Sequence, residues 1–199
     1  MLHPLRWIRR VISLIVLAAA AYYVVSGVQV VNASEAPQAA GIAPRAQAVV
    51  VVSAGTASLD ADLRLRLRHA AQLRALGRAP AVVVACADGG EARRETAFLV
   101  RHGVPAGDVS SVVAPELPAQ LHQLAARARG GTGVLVVADS WQTLWVVHVA
   151  QSAGLEAAAS PVTPPRNGIL DEARAVAVQA AAVAWGRIAG FASTGFIAG

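Results

Sequence analysis

The clearest hydrophobic pattern in the chain is a run of four valines. Residues 48–56 read AVVVVSAGT, an apolar stretch broken at once by Ser53, Gly55 and Thr56. A short unbroken apolar run bounded by turn residues predicts a strand covered on both faces. Two similar runs follow: AVVVA at 81–85, after Pro80, and VLVV at 134–137, after Gly133. Weaker strand signals lie at 111–113 and 156–160. Between these runs the apolar positions switch to helical spacing. Over 59–76, Leu63, Leu67, Ala70 and Ala71 recur on one face, and Gly77 supplies a stop. Arg64 and Arg68 share a different face, and Arg66 points away from both. Asp60 and Asp62 are spaced to pair with Arg64 and Arg66 one turn on.

The remaining helices follow the same logic. One is expected over 90–102, opened by a capping box in which Asp88 accepts from the Glu91 amide and Glu91 returns the contact. Ala92, Thr96, Phe98 and Leu99 face inward, and Gly103 and Pro105 end it. Pro118 suits the first turn of a helix over 119–129, packed through Leu121, Leu124 and Ala125. The next helix carries Trp141, Leu144, Trp145 and His148 and ends near Gly154. Residues 170–188 form an alanine-rich terminal helix whose uncharged stretch, 175–186, is short for a membrane span. Packing over the sheet is the expectation there, with contact to a membrane surface the lesser alternative. Strand and helix signals alternate throughout, which predicts a layered α/β domain.

Ahead of this domain lies a different pattern. Residues 11–31 read VISLIVLAAAAYYVVSGVQVV, without a charge, after a short basic segment holding Arg6, Arg9 and Arg10. A helix of that length rises about 30 Å, enough to cross a hydrocarbon core. The arginines keep residues 1–10 in the cytoplasm and send the rest outside. The rival is a cleaved signal peptide with a poor site at 31–33; the long apolar run favours a retained anchor. Residues 32–47, with Pro37, Gly41 and Pro44, read as a linker, 48–189 as the folded domain and 190–199 as a tail.

Composition changes this picture little. The 17 basic residues are all arginine, against 12 acids. Three of the arginines precede the apolar run, so the outer domain is nearly balanced, and no basic patch with interleaved aromatics points to nucleic acid. The single cysteine, Cys86, excludes an internal disulfide and a cysteine-rich zinc site; it reads as a buried structural thiol.

Candidate chemistry follows from position. In open parallel sheets, ligands bind beyond the carboxyl ends of the strands. That places Gly55, Asp139 and Ser140 on a rim. Gly89 and Gly90 open a helix and can present amides to an anion, or can serve only as turn residues. Glu91 and Glu95 lie one turn apart, fitting either a metal or general-base pair or two solvated acids at the positive end of a helix. There is no GxxxxGK[ST], no dinucleotide fingerprint, no GxSxG and no HExxH. His69, His102, His122 and His148 form no evident triad. Neither a metal nor a cofactor is expected.

The order of these pieces resembles the DUF218 family of bacterial envelope proteins, which includes SanA, ElyC and YdcF, and most of all its SanA-type branch. The matching stretches are AVVVVSAGT at 48–56, RLRHAAQLRALGRAP at 66–80, ETAFLVRHGVPAGDV at 95–109, VLVVADSW at 134–141 and DEAR at 171–174. The resemblance spans about residues 48–185. It implies a Rossmann-like three-layer sandwich with a mainly parallel sheet, preceded by one transmembrane helix. It also implies single-pass residence in the inner membrane with the domain on the periplasmic side. The implied role is in envelope barrier function or peptidoglycan-related processes, with or without catalysis. The alternative is a hydrolase or transferase acting on a phosphorylated or glycan-linked envelope precursor. Partners would be the inner membrane and an envelope precursor or protein, and no nucleic acid.

Carried over residue by residue, the resemblance implies that Arg66 holds an anion in the glycine-containing loop marked by Gly55. Glu95 and Glu172 would act as catalytic bases or orient Arg66. Gly89, Gly90, Asp139 and Ser140 complete the expected ligand-binding set. The sequence also departs from the family pattern. The loop after the second strand is ACADGG rather than Ser–Gly–Gly-like, and the stretch 116–120 lacks the usual Thr and Asn. Gln142 and Trp145 stand where a histidine and an arginine are usual. Loss of a titratable group and a cation favours a noncatalytic branch.

Overall fold

The computed structural model describes residues 46–53, 59–128, 132–163 and 169–190, with Ser13, Leu17, Tyr22 and Val25 ahead of them. The span expected at 11–31, apart from those four residues, lies outside the described residues, as do most of the linker and the tail at 191–199. Among the described residues no helix is long and apolar enough to cross a membrane.

Five strands form one sheet: β1 (Ala48–Val52), β2 (Ala81–Cys86), β3 (Val109–Val113), β4 (Gly133–Val137) and β5 (Glu156–Ala159). Every pairing is parallel and the order is β3-β2-β1-β4-β5. Helices α1 (Ala61–Ala75), α2 (Gly89–Arg101), α3 (Leu117–Arg127), α4 (Thr143–Ser152) and α5 (Ile169–Ala189) alternate with the strands. This is the α/β architecture expected from the alternation, with the strand order of the first five strands of a Rossmann sheet. The weak signal at 111–113 extends two residues earlier in the structure. A 3-10 turn over Ala106–Asp108 delivers the chain into β3.

The two faces separate cleanly by the period of two. Val49, Val51, Val82, Val84, Leu135 and Val137 face the layer of α1 and α2, where Leu63, Leu67, Ala70, Ala92 and Leu99 meet them. Val50, Val52, Val83, Ala85, Val134 and Val136 face α3, α4 and α5 through Leu121, Leu124, Trp145, Val149 and Val183. Such double coverage is why β1 is apolar at every position, and all five of its residues are buried. Trp145 fills this second core as a packing residue.

Helix ends follow the sequence signals with shifts of a residue or two. Asp60 caps α1 by accepting from the Leu63 amide at 2.7 Å. Gly77, at φ +69°, turns the chain out of α1 where a side chain would be strained. Asp88 caps α2, accepting from the Gly90 and Glu91 amides. The return contact differs from the expected box. Glu91 Oε2 accepts from the Ala87 amide, one residue before the cap, at 2.9 Å. Pro118 sits in the first turn of α3, which begins at Leu117 rather than 119.

The main correction concerns Arg66. The expected pairing with Asp62 is not what holds it: Arg66 lies in the sheet-facing stripe of α1 beside Leu63 and Leu67 and is only 2% exposed. Its partner is distant in sequence.

Candidate functional site

The alternation that builds the core also builds the site. Continuing β1 by one step after Val51 puts Ser53 on the α1–α2 face. The same step after Val84 puts Cys86 there, and after Val137 it puts Asp139 there. The register pairs Val52 with Ala85 and Val51 with Val137, so Ser53 stands between Cys86 and Asp139 at the carboxyl edge. Sheet connections reverse direction between β1 and β4. This is the switch point at which open α/β sheets bind ligands.

Two helices reach over this row of strand ends. From α1 comes Arg66, whose Nη1 donates to the Val52 carbonyl at 2.6 Å and whose Nε lies 3.4 Å from Asp139 Oδ1. The pair is shielded from water, with side-chain exposures of 2% and 6%. From α2 come Glu91 and Glu95, one turn apart on the same face, and both are buried. Ser53 Oγ donates to Glu95 Oε1 at 2.5 Å. The expected solvated pair of acids at a helix start is therefore excluded by burial.

Burial dominates the electrostatics. It raises the Glu95 carboxyl above the ordinary glutamate range, because a carboxylate is poorly solvated there. The Ser53 hydroxyl and the Cys86 thiol oppose that shift, Glu91 adds to it by repulsion, and Arg66 opposes it weakly. The Cys86 thiol is raised as well, first by burial and then by the negative charge of Glu95. In the absence of a cation Cys86 is held as the inert thiol, and burial shifts Glu95 toward its protonated form.

The structure thus brings together four of the residues singled out from the sequence: Arg66, Glu91, Glu95 and Asp139. Ser140 is buried in the turn after Asp139, its amide donating to the Val162 carbonyl at 2.8 Å; the described contacts do not join it to Arg66 or Glu95. Gly90 does not offer a free amide, since its N–H is taken by Asp88 Oδ1. Gly89 lies on another groove, of about 620 Å³, between α2 and the edge strand β3, lined also by Arg93, Thr96, Val100, Ser111 and Val113. Gly55 lies outside the described residues. Glu172 lies in α5, but its side chain is not among those described.

Sequence reading missed Ser53 and Cys86 as site residues. The available signal was the valine alternation itself, which carried one step past each strand aligns Ser53, Cys86 and Asp139. A second polar contact lies at the β5 end of the same sheet edge. His69 Nε2 meets Ser160 Oγ at 2.8 Å, beside a cleft of about 250 Å³ lined by Arg68, His69, Gln72, Pro161 and Thr163. Burial lowers the His69 pKa, with Gln72 opposing, so the neutral ring is favoured.

Comparison with family models, with curated proteins and with solved structures returns no match for this chain.

Proposed function

We propose that the chain is an anchored envelope protein of the DUF218 kind, nearest the SanA-type branch, whose Rossmann-like domain works by binding rather than by turnover. The observation that carries the noncatalytic part is the state of Arg66. A cation that is 2% exposed, bonded to the Val52 carbonyl and held against Asp139 is already neutralised. It acts as a strut between α1 and the ends of β1 and β4, not as an anion clamp. Gln142 and Trp145, standing where the family places a histidine and an arginine, point the same way. The basic segment ahead of the apolar residues 11–31 supports a single inner-membrane span with the domain on the periplasmic side.

Two measurements test this reading. A reporter that works only outside the cytoplasm, fused after Gly199, is expected to be active; activity of a cytosolic reporter instead overturns the orientation. The purified full chain is expected to release no phosphate from phosphorylated polyprenyl or glycan-linked precursors and to transfer nothing from them. Turnover by the folded parent chain, absent from a heat-denatured control, overturns the noncatalytic reading.

One observation favours the enzymatic alternative. A serine hydroxyl bonded to a buried carboxylate is the geometry of a nucleophile beside its base. In a hydrolase or transferase of phosphorylated or glycan-linked precursors, Ser53 would attack the phosphorus or anomeric carbon as its bond to the departing alcohol or phosphate breaks, and Glu95, in its ionised form, would accept the serine proton. Turnover abolished by Ser53→Ala in a folded chain would select this alternative.

A further inference from the structure

We infer that Cys86, Glu91 and Glu95 form a binding site for one divalent transition metal of the zinc class. One thiol and two carboxyl groups place their ligand atoms within 4.8 Å of one another, and all three residues are buried. The spacing explains the convergence. Cys86 ends β2, and α2 begins three residues later with Glu91 and Glu95 on its inward face. The strand end and the first turns of the helix thus present donors to one point.

Two further observations point to a cation. Glu95 is wholly buried; its Oε1 accepts from Ser53, whereas its Oε2 has no hydrogen-bond partner. A buried acceptor left unmet is costly, and a metal ion satisfies it. The charge balance is also incomplete. Among the described residues, Glu91, Glu95 and Asp139 are buried around one buried cation, Arg66, and that cation is already engaged with Asp139. Buried charge without a counter-ion is strongly unfavourable.

Ligand chemistry selects the class of ion. A thiolate with two carboxylate oxygens suits zinc and its neighbours, whereas calcium and magnesium require more oxygen donors and no sulfur. Binding converts the thiol to a thiolate and takes both carboxyl groups as carboxylates: the S–H proton, and the carboxyl proton of any Glu95 that carries one, leave to solvent as the metal–ligand bonds form, without any change of oxidation state. Three protein ligands leave a fourth position, and the Ser53 hydroxyl on Glu95 Oε1 is the neighbouring oxygen. The inference is independent of family membership and of the side of the membrane on which the domain lies.

Cobalt(II) titration of the full chain, purified in detergent and stripped with chelator, tests it. Because Cys86 is the one cysteine in the sequence, a thiolate-to-cobalt charge-transfer band reports this residue alone. The expected result is saturation at one cobalt per chain, with that band and the visible bands of a tetrahedral ion, and displacement by zinc. Glu95→Gln and Glu91→Gln are expected to weaken binding by more than the 10–100-fold typical of losing an outer-sphere partner. Cys86→Ser is expected to remove the charge-transfer band. Asp108→Asn, in the turn that leads into β3 and paired with Arg74 at the end of α1, is expected to bind as the parent chain does. Circular dichroism establishes that each variant is folded; if Cys86→Ser is not, the two glutamate variants decide. Absence of the thiolate band in the folded parent chain overturns the inference, and so does unchanged affinity in both glutamate variants.

Discussion

Arg66 and Asp139 form a buried ion pair that ties the middle of α1 to the end of β4, with Nε 3.4 Å from Oδ1. Removing one member leaves the other charged in a site that water does not reach. Arg66→Ala or Asp139→Asn is expected to destabilise the fold by about 3–5 kcal/mol. Replacing both, Arg66→Met with Asp139→Leu, is expected to recover most of that loss, because no charge is then left alone. Denaturant unfolding of the four chains checks both statements, and a double variant no better than the worse single variant would refute the pairing.

Glu95 supplies a pH signature. Its native pKa is raised above the ordinary value of 4.5, mainly by burial. The native state therefore holds this proton more tightly than the unfolded chain does. Its contribution to stability is fully present below pH 4.5 and is lost as pH rises through the native value. Glu95→Gln is expected to abolish that decline and to exceed the parent chain in stability at alkaline pH. Thermal melting as a function of pH, with metal removed, gives the comparison.

Part of this site was legible from local pattern and part was not. The three valine-rich runs marked the central strands because a doubly covered strand must be apolar at every position. The spacing of Leu63, Leu67, Ala70 and Ala71 located the buried face of α1. Arg66 falls in that same stripe, three positions from Leu63 and four from Ala70. Its spacing argued for a pair with Asp62 along the helix, and only Asp139, brought alongside by the pairing of β1 with β4, supplies the partner observed. Local rules see helix spacing but not which strand ends become neighbours. Cys86 was legible as buried and illegible as a neighbour of Glu91 and Glu95, because its role depends on how closely α2 returns over the end of β2.

The Cys86 thiol is buried and its pKa is raised, so little nucleophilic thiolate is present in the folded chain. Native, metal-free protein is expected to resist thiol reagents at neutral pH, and unfolded protein is expected to react at the rate of an ordinary cysteine. A disulfide-exchange reagent with a coloured product measures both rates. Equal rates would show that the end of β2 is open to solvent.

His69 predicts the opposite behaviour in acid. Burial lowers its native pKa below the ordinary 6.5, so the unfolded chain takes up the proton more readily. Stability should fall as pH drops below 6.5 and level off once the native ring is also protonated. His148, lowered by burial and by Arg187, acts in the same direction. His69→Gln is expected to reduce the acid-side slope, and His69→Gln with His148→Gln to reduce it further. Melting between neutral and mildly acidic pH reads the slopes.

The Asp60 cap on α1 gives a local control. Its carboxylate meets the Leu63 amide at 2.7 Å. Asp60→Ala is expected to destabilise by about 1 kcal/mol, and Asp60→Ser by less, since a hydroxyl can take the same amide. Denaturant unfolding distinguishes this small loss from the larger one at Arg66.

The strand order has a consequence for the order in which an emerging chain can complete its sheet. β1 is made first yet ends up in the interior of the sheet, between β2 and β4. One side of β1 can be satisfied early, by β2. The other side waits until β4 has emerged, and Asp139 emerges directly after it. Throughout that interval Arg66 lacks its counter-charge and half of the first strand lacks a neighbour. Until β4 joins, the incomplete domain therefore has an open apolar edge beside an unneutralised guanidinium, the kind of unpaired edge that makes a partly folded chain prone to aggregate.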